Sequence, residues 1–156
     1  MKNINTITGN LIIKDQKIAI ISTRFNEYIV KGLVTGATDM LQKCGISAQN
    51  ITVFNVPGAF ELPLSAQKIA QSGKYQAIIA LGAIIRGATP HFDVVTNECT
   101  KGLAQVSLQN NIAIAMGVLT CDTIEQAIER SGTKAGNKGA ESAQTVIEMI
   151  SILQQI

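Results

Sequence analysis

Four short apolar runs, residues 17–22, 51–56, 77–85 and 112–119, recur along the chain and decide what it can fold into. They are rich in β-branched residues and nearly continuously apolar, the pattern of strands buried on both faces rather than one. Between them lie residues 27–44, 60–72 and about 91–109, each with apolar side chains three and four positions apart, which predicts helices. Gly45 and Gly73 directly follow the first two, where a helix end takes a left-handed residue. Two more helices are expected, one opening at Asp122 or Thr123 with Glu125 in its first turn, and one over about 139–153. Strands alternating with helices imply parallel βαβ units with right-handed crossovers. The expected architecture is a three-layer α/β/α sandwich around a four-stranded parallel sheet, with all 156 residues in a single domain.

The rest of the composition narrows function. Thirteen Lys and Arg against eleven Asp and Glu leave a net charge of +2, too small for a nucleic-acid or membrane-surface footprint. Aromatic residues are 4% with no Trp, so a base-stacking platform is not expected. The apolar runs are far shorter than a membrane span. The opening MKNINTITGN has no apolar signal core, so a cytoplasmic location is expected. Cys44, Cys99 and Cys121 lack metal-ligand spacing and read as reduced thiols, and with one histidine no metal site is expected. A mean hydropathy of +0.24 with few charges points to apolar surface covered by other subunits, hence a homo-oligomer.

Ligands in parallel α/β sheets bind at the carboxyl ends of the strands. Four loops leave those ends, at 22–26, 55–61, 84–91 and 120–123. The richest is GAIIRGATPHFD, residues 82–93, which joins a strand to a glycine turn, a helix start and the only histidine. Gly82 and Gly87 have Walker A spacing, but Ala88 stands where the lysine would be, so nucleoside triphosphate chemistry is disfavoured. A helix start retains the capacity to hold a simple phosphate or carboxylate.

Each candidate has two readings. His91 is either a structural histidine or an acid/base, and imidazole titrates in the range that the second role needs. Arg130 is either a solvated charge at a helix end or an anion ligand. Arg86 is either a ligand or a structural pair for Glu61 or Asp93. The run GTKAGNKG, residues 132–139, is either a flexible interhelix loop or an anion cradle carrying Lys134 and Lys138. Phe25, just before the expected helix cap Asn26, either lies over a flat ligand or staples the helix start. Pro57 and Gly58 form a turn that either presents backbone groups, with Glu61, to a heterocycle or is an ordinary βα loop capped at its helix start. Residues 9–13 are an extended stretch outside the alternation, either a tail or a strand added to a neighbour's sheet. Val146, Ile147, Met149, Ile150 and Leu153 form a stripe wide enough for both the sheet and a second subunit.

RFNEYI at 24–29, VPGAFELP at 56–63, GAIIRGATPHFD at 82–93, VTNE at 95–98 and GVLTCDTIEQAIERSGTKAGNKGAES at 117–142 together resemble the lumazine synthases. The resemblance spans nearly the whole chain, in order. It implies a flavodoxin-like sandwich and a cofactor-free, metal-free transferase of riboflavin biosynthesis. The implied reaction condenses 5-amino-6-(D-ribitylamino)uracil with 3,4-dihydroxy-2-butanone 4-phosphate, giving 6,7-dimethyl-8-ribityllumazine, phosphate and water.

It also implies roles. Phe25 would stack on the pyrimidine with Asn26 beside it. Ala59, Phe60 and Glu61 would bind the ribityl chain. Ala83, Ile84 and Ile85 would offer backbone groups to the pyrimidine edge. Ala88 and Thr89 would hold the butanone phosphate with Arg130 and Lys138, and His91 would be the acid/base. Met116 stands where the family usually has a phenylalanine that closes a neighbouring subunit's pocket. The family forms pentamers, some assembling twelve into an icosahedral capsid, and the uninterrupted GTKAGNKG run resembles the capsid-forming kind. Riboflavin synthase is the implied user of the product and a capsid guest. The rival readings are a non-catalytic flavin-binding or redox module and a shell-forming protein on the same fold.

Overall fold

The β-branched runs do form the sheet. The computed structural model describes residues 3–156. Its main sheet holds β1 (Ile18–Thr23), β2 (Ile51–Val56), β3 (Ala77–Ile85) and β4 (Ala113–Cys121), all parallel, in the order β2-β1-β3-β4. β4 extends past the expected end at 119, because β3 carries its pairing on to Ile84↔Thr120 and Ile85↔Cys121. Side chains alternate between the faces of the sheet. Ile18, Ile20, Ile79 and Leu81 enter one core, and Ala19, Ile21, Ile78 and Ala80 the other.

The first core is closed by α1 (Glu27–Lys43) and α5 (Lys138–Leu153), with Ala127 of α4 (Ile124–Glu129) at its end. The second is closed by α2 (Leu62–Gln71) and α3 (His91–Asn110). Leu33, Leu41, Val146 and Ile147 are fully or almost fully buried where α1 meets α5 and the sheet. Each such side chain contributes about 1.5–3 kcal/mol, against a few tenths for an exposed helix pair such as Lys31–Glu27. Apolar packing therefore seats α1. Within the α5 stripe, Val146, Ile147 and Ile150 are buried, whereas Met149 and Leu153 remain partly exposed.

The helix ends show the local chemistry. α1 stops at Gly45, φ 99°, with Ile46 N–H bonding the Leu41 carbonyl as in a Schellman motif. α2 is followed by Gly73 at φ 66°. α3 ends on Asn111 at φ 49°, with Ile112 N–H bonding the Ser107 carbonyl.

One of the two readings of residues 132–139, the flexible loop, is corrected. Residues 132–139 are not a loose interhelix loop: β5 (Ser131–Thr133) and β6 (Gly136–Asn137) pair as an antiparallel hairpin, and α5 starts at Lys138. The Asn137 side chain accepts from Gly139 and Ala140 N–H and donates to the Gly32 carbonyl at 2.9 Å. Residues 9–13 form no strand within this chain. Asn10 N–H donates to Ser151 Oγ, and Ile13 N–H to the Cys44 carbonyl, so the segment runs across the ends of α5 and α1. Met1 and Lys2 of the expected tail lie outside the described residues. Among the described residues no helix is long and apolar enough to cross a membrane.

Candidate active site

The carboxyl ends of β1, β2 and β3 open onto a cavity of about 640 Å³. It exists because β3 outruns its neighbour. β3 pairs with β4 as far as Ile85 but with β1 only as far as Leu81. Successive residues of a strand turn their N–H and C=O groups to opposite sides. Arg86 N–H donates to the Cys121 carbonyl, which puts even-numbered residues on the β4 side. Ala83 and Ile85 thus turn theirs into the space that β1 vacates, and Ile84 turns its own to β4 while its side chain lines the cavity.

Asn26 takes one of those groups, donating its amide to the Ala83 carbonyl at 2.8 Å. It stands at the N-cap position of α1, but at φ 59° its side chain makes no capping bond, contrary to the capping role expected from sequence. The left-handed backbone turns the amide towards β3.

Phe25 is 72% exposed, which rules out the staple, and its N–H is held by the Pro57 carbonyl. Gly58 has extended φ, so what it supplies is room. A Cβ there would lie 3.0 Å from the Phe25 ring and 3.2 Å from Glu61 Oε2. Phe25, Glu61 and the 58–59 backbone therefore meet at one wall, with the Phe60 ring also exposed at the rim. The opposite wall comes from Gly87, Thr89, His91 and Phe92 at the start of α3, with Ala88 exposed in the same turn.

Arg86 does not pair with Glu61. Its Nε donates to Asp122 at 2.9 Å, a terminal nitrogen lies 3.4 Å from Asp93, and the guanidinium sits 4.3 Å from the centre of the Phe92 ring. It is half-exposed rather than buried. The carboxylates of Asp122 and then Asp93 hold its pKa above the ordinary value.

Met116, Arg130 and Lys138 are not in this cavity. They line a second one, of about 490 Å³, along the free edge of β4, together with Glu141 and Ser142. Arg130 follows α4, donates to the Gln126 carbonyl at 2.9 Å and lies 3.5 Å from Glu129. Its charge is felt at the end of β4, where it partly opposes the upward push of burial on the Cys121 thiol. Lys138 opens α5 and pairs with Glu141 at 2.6 Å. Met116 is 49% exposed on the outer strand. Arg130 and Lys138, grouped with Thr89 by the resemblance, thus lie in a separate opening of this chain from Thr89, and they share it with Met116, the residue expected to serve a neighbouring subunit. Sequence reasoning did not pick out Glu141, which follows Lys138 at the helix spacing of an ion pair and could have been read from it.

Strand order and layers define a flavodoxin-like α/β protein, and the cavity at the carboxyl ends of its parallel strands is its candidate small-molecule site. Residues 15–154 match the model of one particular family, described as 6,7-dimethyl-8-ribityllumazine synthase. The chain belongs to that family.

Proposed function

We propose that this chain is a transferase that condenses 5-amino-6-(D-ribitylamino)uracil with 3,4-dihydroxy-2-butanone 4-phosphate in riboflavin biosynthesis. The family match over 15–154 carries the reading. In the reaction, the aromatic amine attacks the ketone and an imine forms with loss of one water. Elimination then expels inorganic phosphate, and ring closure onto the second nitrogen expels another water, leaving 6,7-dimethyl-8-ribityllumazine.

The side chains suit those steps. The exposed Phe25 ring covers one face of the pyrimidine, and the open groups of Ala83 and Ile85 meet its edge. Glu61 and the 59–60 backbone take the ribityl hydroxyls. Ala88 and Thr89 receive the phosphate at the start of α3, where unpaired N–H groups favour an anion. His91, in the first turn beside it, moves the protons. Arg130 and Lys138 neutralise the departing phosphate. Holding two reactive substrates together supplies much of the acceleration.

The two openings support a site completed between subunits, the Met116–Arg130–Lys138 edge of one protomer facing the His91 cavity of the next. In that reading the functional unit is a pentamer, with residues 9–13 available to a neighbour's sheet. The tight 131–137 hairpin favours assembly of twelve pentamers, with riboflavin synthase as user of the product and guest. Met116 covers the pyrimidine through its thioether, more loosely than a ring would.

A single-turnover assay tests the reading. Both substrates are mixed with the protein, and lumazine absorbance is followed against a protein-free background. Acceleration that needs the 4-phosphate, and falls in Arg130→Ala, is the expected result. A folded oligomer that gives no acceleration overturns it in favour of a binding or shell protein.

A further inference from the structure

The turn at 87–90 carries the proposed phosphate contacts, yet it is poorly tied to the protein. Its residues are exposed, and no hydrogen bond among the described residues is donated by the N–H groups of Gly87, Ala88 or Thr89. A Cβ on Gly87 would meet nothing within 4 Å, so packing does not hold the turn there either. What spans it is one side chain. Arg86 leaves the end of β3, its N–H extends the ladder to Cys121, and its Nε bonds Asp122 just beyond β4. The same guanidinium reaches across the turn to Asp93 and covers the Phe92 ring, both in the first turn of α3. Three contacts thus connect the two strand ends to the residues that follow His91.

We propose that Arg86 is a positioning residue for the condensation, clamping the first turn of α3 to the ends of β3 and β4 so that His91 and the 87–89 N–H groups face the reacting atoms. The inference rests on the reading given under Proposed function and adds a residue to which the family resemblance assigns no role. Magnitudes separate it from a surface ion pair. Exposed pairs are worth about 0–1 kcal/mol, so losing them barely changes global stability. A displacement of about 1 Å in a reacting group, by contrast, costs about a hundredfold in rate. Lysine cannot replace the clamp, because a single ammonium cannot span Asp122 and Asp93 while lying flat on Phe92.

The test compares the intact oligomer with Arg86→Met and Arg86→Lys. The expected kcat loss is about tenfold to a hundredfold in both, with KM for the ribitylaminouracil within about twofold and the melting temperature nearly unchanged. Amide exchange should quicken at Asp93 and Val94, whose N–H groups bond the Pro90 carbonyl, and at Val95 in the same turn. An unchanged kcat in Arg86→Met, full rescue by lysine, or unaltered exchange over 93–95 overturns the clamp. If the unsubstituted protein gives no turnover, the reaction itself is wrong. The exchange measurement then decides the clamp alone, as a structural feature of that turn.

Discussion

Asn26 donates its side-chain amide to the carbonyl of Ala83 at 2.8 Å, across 57 residues of sequence. The bond ties the loop after β1 to the part of β3 that β1 does not reach, and so sets the floor of the cavity. It also engages one lone pair of a carbonyl that faces the proposed pyrimidine position.

Two substitutions separate the parts Asn26 plays. Asn26→Gly keeps the left-handed backbone at low cost but removes the tie. It should raise KM for the ribitylaminouracil several-fold with little change in melting temperature. Asn26→Ala removes the tie and also forces an alanine to φ 59°, adding about 1–2 kcal/mol of destabilisation. Equal stability of the two variants in denaturant melts would mean that the backbone at this position is not strained.

His91→Ala should slow turnover by about a hundredfold, the lower end of what general acid–base catalysis supplies. It should not abolish it, because the substrates bring their own reactivity and the cavity still holds them together. Single-turnover rates check this. A complete loss with substrate binding retained would give the histidine more of the acceleration, and proximity less, than argued above.

The sheet was legible because short β-branched runs alternate with helix-period segments, and Gly45 and Gly73 mark helix ends by the conformation they take. Burial on both faces holds for β1 and β3 but not for β2, which lies at the edge of the sheet and has no buried residue, nor throughout β4, where Met116 and Thr120 are exposed. Asn111 does the same work for α3 less visibly, since asparagine tolerates left-handed backbone without requiring it. Asn26 deceived for a related reason. Its position is that of a cap, but whether the amide bends back over α1 or out to β3 depends on φ, which the residue type leaves open. The hairpin at 131–137 was hidden because its glycines and lysines match a solvated loop equally well, and what orders it is Asn137 reaching Gly32 on a distant helix. The resemblance set Met116 apart, but the separation of Arg130 and Lys138 from Thr89 could not be read from the motifs. Adjacency in a motif says nothing about which side of a strand edge a side chain faces.

The cysteines give a pH prediction. All three are buried, and burial pushes their thiols up, Cys99 from the ordinary 9.0 to about 11. Native protein at about pH 8 should therefore resist thiol reagents, and unfolded protein should react at all three. Because the folded pKa of Cys99 lies above the unfolded one, its contribution to stability is complete below pH 9.0 and is lost as pH rises through about 11. Cys99→Ala should flatten the fall of the melting temperature over that window. An equally steep fall in the variant would assign the slope to other groups.

Asn137 links stability to the proposed anion site. Its Oδ1 accepts from Gly139 and Ala140 N–H, and its Nδ2 bonds the Gly32 carbonyl on α1. α1 and α5 can approach this closely because a Cβ on Gly139 would collide with the Leu33 carbonyl, and one on Gly32 with the Ser131 carbonyl. Asn137→Ala should cost about 1–2 kcal/mol in denaturant melts, the range of a lost helix cap. The loss should reach beyond stability. Arg130 and Lys138 flank the hairpin, and Lys138 N–H is held by the Arg130 carbonyl at 2.9 Å, so loosening Asn137 frees both cations together. KM for the butanone phosphate should then rise several-fold while KM for the ribitylaminouracil stays put, because the Phe25 cavity lies elsewhere on the chain. A rise in both constants would mean that the two openings are coupled through the sheet within one chain.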